Sequence, residues 1–151
     1  MQLSQKERTL LEDSKSQEEL CIKKYNNYSN QAQDQQLKQL FTNHAQKEQE
    51  HLNSINQILS GQIPNVGKTQ TQTQTQTWSQ GQSGMVNQQD ADLCQDLLTT
   101  EKYVSQAYDT SIFEFRDTNI RKVLNHIQSE EQQHGEEIFG YMQSKGMYKV
   151  H

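Results

Sequence analysis

Apolar residues fall at steps of mainly three and four over four stretches of this chain, the spacing of helices with one buried face. The first stretch aligns Leu11, Glu18, Cys21, Tyr25, Tyr28 and Ala32, and Ser4-Gln5-Lys6-Glu7 ahead of it has the form of a capping box. Asp34 is placed to cap a second helix whose inward face reads Leu37, Phe41, His44, Glu48, His51, Ile55 and Ile58. A third helix is lined by Leu97, Glu101, Val104, Tyr108, Ile112 and Phe115. Asp117 caps a fourth, with Ile120, Leu124, Ile127, Glu131, His134, Ile138 and Tyr141 in register with the face of the second, and Gly146 marks its stop.

The polar interruptions of these faces repeat. Glu18, Tyr25, Glu48 and His51 follow the pattern Glu-x6-Tyr-x22-Glu-x2-His, and Glu101, Tyr108, Glu131 and His134 follow it again, each displaced by 83 positions. At this composition one such quartet arises by chance on the order of once in 10^5 starting positions, so the second copy points to an internal duplication. The expected architecture is one domain over residues 1–151, made of two helical hairpins at about 4–60 and 90–145. Between them, residues 61–89 hold Pro64 and the alternating Thr/Gln tract Thr69 to Thr77. Both faces of a strand there would be polar, so an extended, partly disordered crossover is expected. Roughly 10 to 15 extended residues span a bundle about 40 Å long. An all-α four-helix bundle with one long crossover between helices two and three is the ferritin-like class.

Composition alone argues for a loose chain: apolar residues make up 30% and Gln about a sixth. The periodic placement of those few apolar residues argues against it. A net charge of -5 gives no basic face for nucleic acid, and no apolar run is long enough to cross a membrane. The start Met1-Gln2-Leu3-Ser4 reads as that of a cytoplasmic protein. Cys21 and Cys94 lack CxxC spacing and fall in the apolar phase, so both are expected as buried, reduced thiols.

A single Glu-x-x-His is a weak motif, because exposed helices often carry it. Here both copies sit in the apolar phase, where an unpaired carboxylate costs several kcal/mol to bury. If Glu18, Glu48, Glu101 and Glu131 converge, something must neutralise them. Two divalent cations, with His51 and His134 completing the donor set, would do so. Oxygen-rich donors with two imidazoles suit Fe or Mn. A polar, metal-free core satisfied by protons, Gln or Lys is the competing expectation. Tyr25 and Tyr108 are placed either to bond a ligand carboxylate or nearby backbone or to serve simply as amphipathic core residues. Glu19, Glu50 and Glu130 lack a repeat partner of their own type and are expected on the surface. His44 corresponds to Ile127 and is expected to be structural, while His126 and His151 have no constellation around them.

The repeated Glu/Tyr/Glu-x-x-His pattern resembles the ferritin-like superfamily, bacterioferritins and rubrerythrins included. That resemblance implies that Glu48 and Glu131 bridge two metals, with Glu18 and His51, and Glu101 and His134, binding terminally. Without CxxC pairs there is no rubredoxin module, and without a Met on the second helix no haem ligand. With only a short tail after the fourth helix, a storage shell is not implied. Leu97 to Tyr148 also resembles the Coat F family of spore coat proteins. The likeness rests on Thr100-Glu101-Lys102, Tyr108, Arg121, Glu130-Glu131-Gln132-Gln133-His134 and Tyr141-Met142-Gln143-Ser144-Lys145-Gly146-Met147-Tyr148. It implies a place in the sporulating cell and the spore coat, with other coat proteins or a second copy of the chain, as a dimer, for partners. Taken with the donor set and the ferritin-like likeness, the functions expected are a dinuclear centre acting on O2 or peroxide with electrons from a separate donor, a purely structural and cross-linked coat component, or iron handling.

Overall fold

The computed structural model describes residues 2–66 and 86–148, and its regular structure there is helical throughout. The elements are α1 (Gln5–Gln31), α2 (Gln35–Leu59), α3 (Gln88–Ile112) and α4 (Thr118–Ser144). Their starts are set by side chains that satisfy the free N–H groups of a first turn. Ser4 Oγ accepts from Glu7 N at 3.0 Å while Ser4 N donates back to Glu7 Oε1 at 2.8 Å, the expected capping box. Asp34 and Asp117 cap α2 and α4 as expected. Asn87 caps α3, which therefore begins at Gln88, slightly earlier than the sequence pattern indicated. Beyond α4, Gly146 takes a φ of 71°, a left-handed conformation that suits glycine and turns the chain away from the helix axis.

Each hairpin is antiparallel, and α1 packs on α3 while α2 packs on α4. Contacts along the α1/α3 seam run from Glu7 with Arg116 at one end to Gln33 with Asp90 at the other, so these neighbours are antiparallel too. It follows that α2 ends and α3 begins at opposite ends of the bundle. The Thr69–Thr77 tract, expected as extended or disordered, lies outside the described residues.

The interior has three layers. One apolar end contains Leu37, Phe41, Leu97, Ile138 and Tyr141, and the other contains Leu11, Ile55, Phe115, Ile120 and Leu124. Between them lies a belt of buried Glu and His side chains. Burying each large apolar side chain contributes about 1.5–3 kcal/mol, which is what holds the polar belt out of water. Two expected stripe residues lie outside the helices. Ala32 caps the end of α1, and Phe115 sits in the α3–α4 turn rather than lining α3, yet both are buried. Cys21 and Cys94 are buried free thiols.

The 83-position spacing recurs at the bundle ends. Asp90 accepts hydrogen bonds from Gln33 N at 2.8 Å and Asp34 N at 3.1 Å, holding the α1–α2 turn. Its counterpart 83 positions earlier, Glu7, accepts from Arg116 N at 3.1 Å and from the Arg116 guanidinium at 2.9 Å, holding the α3–α4 turn. Each hairpin therefore clasps the turn of the other with a buried carboxylate.

Candidate metal centre

All six expected ligands meet in the central belt. Glu18, Glu48 and Glu131 have no exposed surface, and Glu101, His51 and His134 keep at most 4%. Two groups form: Glu18, Glu48, His51 and Glu131, and Glu48, Glu101, Glu131 and His134. Within each, one donor atom from every residue lies within 4.8 Å of the others. Glu48 and Glu131 belong to both groups. They come from facing positions on α2 and α4, while Glu18 and Glu101 come from α1 and α3.

The two halves exchange contacts. His51 Nδ1 lies 2.8 Å from Glu131 Oε1, and His134 Nδ1 lies 2.8 Å from Glu48 Oε1. Neither approach has the direction of a hydrogen bond, since both oxygens are without a hydrogen-bond partner. The same holds for Glu18 Oε2, Glu101 Oε2 and Glu131 Oε2. Buried oxygens of this kind are normally paired. Here five turn toward one another and toward two imidazole nitrogens, the arrangement expected of donors that share cations. The tyrosines also cross over: Tyr25 donates to Glu101 Oε1 and Tyr108 to Glu18 Oε1, both at 2.6 Å. Sequence spacing placed each Tyr near a carboxylate but could not tell that it would be the carboxylate of the other half.

Charge in the belt is unevenly held. Burial drives the Glu48 and Glu131 carboxyls well above the ordinary range, and their acidic neighbours add to it. Burial also opposes ionisation of Glu18 and Glu101, but hydrogen bonds from neighbouring carboxyl, imidazole and phenol groups outweigh it and lower both. His51 and His134 are raised despite burial, because carboxylates surround them. The Cys21 thiol is pushed up by burial and by the Glu48 charge, and Cys94 rises to about 12, so neither is a reactive thiolate.

Glu130 corrects one expectation. It is 8% exposed rather than a surface charge, and His51 Nε2 bonds its Oε1 at 3.1 Å. Lys47 at 3.4 Å and His126 at 3.0 Å flank it, which also gives His126 a constellation it was not expected to have. Although burial opposes its charge, these partners lower Glu130 to about 2. With a cation bound, a carboxylate on Nε2 would hold the tautomer whose Nδ1 faces the centre as a donor. The repeat hides Glu130, because its counterpart is Lys47. Glu19 and Glu50 are exposed, as expected.

The other imidazole has different company. His44, buried as expected, stacks on His134 at 4.0 Å between ring centres and bonds Glu137 Oε2 through Nε2 at 2.8 Å. Burial and the nearby His134 hold it well below the ordinary range, hence neutral. It belongs to neither donor group. His151 lies outside the described residues.

Among the described residues no helix is long and apolar enough to cross a membrane. No curated protein and no solved structure gives a significant match to this chain. Residues 89–151, which comprise nearly all of α3 together with α4 and the tail, match the family model of the Coat F domain, and that match supports the chain's resemblance to the Coat F family.

Proposed function

We propose that this chain is a spore-coat protein of the Coat F type that holds two Fe or Mn ions in its ferritin-like bundle and acts on O2 or peroxide with electrons from a separate donor. The observation that carries the reading is the sharing of Glu48 and Glu131 between two buried donor groups, each completed by one further Glu and one His. Four carboxylates and two dications balance in charge, which removes the cost of keeping the acids out of water. When bound, such a pair supplies redox equivalents and a place for an oxygen ligand. The chain supplies the rest. Tyr25 and Tyr108 orient Glu101 and Glu18, Glu130 orients His51, and the apolar layers exclude water.

The test is elemental analysis of untagged protein from cells supplied with iron and manganese. About two Fe or Mn per chain is expected in the wild type, and Glu48→Gln/Glu131→Gln should lose them. A folded, helical wild type with no metal would overturn the reading.

A second reading, a structural coat component, has one observation in its favour. The raised carboxyls of Glu48 and Glu131, with His51 and His134 charged beside Glu18 and Glu101, let protons neutralise the belt without metal. The two readings separate on titration with Mn(II), since ligands must lose protons to bind metal. Uptake with proton release supports the first reading, and a chain inert to the ion supports the second.

A further inference from the structure

The halves of the duplication differ in how the centre meets the surface. Between α3 and α4 lies an open cleft of about 480 Å³, within the size range of small-molecule sites. Glu101 and Glu131 back its inner wall, Glu101 keeping 2% of its surface exposed and Glu131 none, so the cleft ends against the donor group of His134. Leu98 and Phe139 line it, and Tyr148, turned back by Gly146, meets Phe139 edge to face at 4.9 Å. Gly135 and Ser105 lie along it where the first hairpin has Leu52 and Ile22. The small residues leave room on this side at positions that carry large apolar side chains on the other. A second cleft, reaching His51, is lined by Lys47, His126 and Glu130 and is polar.

We infer that the α3/α4 cleft binds a small neutral organic molecule with an apolar body and one oxygen-donor head, the head directed to the Glu101/Glu131 side of the centre. Its chemical class is that of an alkyl or aryl hydroperoxide or alcohol. Two features select it. The walls of Leu98, Phe139 and Tyr148 match a hydrocarbon body. Four carboxylates against two dications leave no net charge at the floor, and Lys102 and Glu136, which also line the cleft, offset each other, so an anion gains nothing there over a neutral head. The inference rests on the metal reading above and assigns that site its substrate class.

The test uses the full chain loaded with Mn(II) and a redox-inert probe, 2-phenyl-2-propanol, with a Zn(II)-loaded sample as diamagnetic control. Paramagnetic relaxation of the probe's methyl protons reports binding beside the metals. The variant is Gly135→Leu, the residue found at the equivalent position. A Cβ there meets Leu98 Cδ1 at 3.8 Å, an ordinary contact, and Leu is a better helix former than Gly. Elemental analysis and circular dichroism check that metal and fold survive. The expected result is relaxation enhancement in wild type and binding weakened about tenfold or more in Gly135→Leu at unchanged metal content. Metal uptake with no probe binding, or with binding indifferent to Gly135→Leu, would overturn the cleft inference and leave the metal reading standing. Gly135-dependent binding, seen by saturation transfer to a chain that takes up no metal, would sink the metal reading while the cleft survived as an organic-ligand site.

Discussion

Three of the six side chains at the centre, Glu18, Glu101 and His51, are held by hydrogen bonds to partners that are not themselves donors to the proposed ions. Glu130 is the clearest case: it fixes His51 through Nε2 while Lys47 and His126 keep it charged. Carboxylates in this position are worth about 10- to 100-fold in metal affinity. Glu130→Gln should therefore weaken Mn(II) binding by about that much, measured by competition with a chelator, and should leave the helical content intact. Tyr108→Phe leaves Glu18 without its 2.6 Å donor deep in the bundle. Loss of one partner of a buried charged group costs about 1–3 kcal/mol, to be read from urea unfolding of the metal-free chain. An unchanged midpoint would mean that this hydrogen bond stabilises neither charge state.

At the scale of elements, the two hairpins are joined by reciprocal carboxylate clasps as well as by apolar packing. Asp90→Ala frees two backbone N–H groups in the α1–α2 turn and should cost about 2 kcal/mol in chemical unfolding. Glu7→Ala should cost a similar amount at the far end, and the two effects should add, since no partner is shared. Glu7 also gives the bundle a pH dependence. Burial opposes its ionisation, but Ser4 N–H and the N–H groups of Arg116 outweigh that and lower it from 4.5 to about 2. A carboxyl lowered in the folded state stabilises fully above the unfolded value and loses that contribution as pH falls through the folded one. Thermal stability should therefore drop between about pH 5 and pH 2, and this component of the drop should be absent in Glu7→Gln. An identical acid profile in the variant would contradict the clasp's role.

For the whole molecule, the proposed metal reading ties stability to metal occupancy, because the donors lie in a polar belt between two apolar layers. A ligand that binds only the folded chain adds about 4 kcal/mol when present at 1,000 times its dissociation constant. Mn(II) should thus raise the melting temperature of the wild type, EDTA should reverse it, and Glu48→Gln/Glu131→Gln should not respond. Without metal the same variant should melt no lower than the wild type. Glu48 and Glu131 already favour their neutral forms there, and Gln imitates those forms. A metal-free variant that melts well below the wild type would show that the native protons or charges at these positions hold the belt together.

The sequence by itself determined the four helices, their caps at Ser4, Asp34 and Asp117, and the six side chains that converge. Period, capping chemistry and an 83-residue repeat are local or one-dimensional signals, and they survive in any fold that buries the same faces. Glu7 and Asp90 were legible in principle, since they are acids at the same displacement. Glu130 was not, because an asymmetric residue carries no repeat signal and only its packing against His51 draws it inward. Tertiary structure alone decided which half each Tyr serves and which carboxylates the two groups share. It also decided that a cleft between α3 and α4 lies against one face of the centre. Those outcomes depend on how α1 meets α3 and α2 meets α4. No spacing within a single helix encodes that.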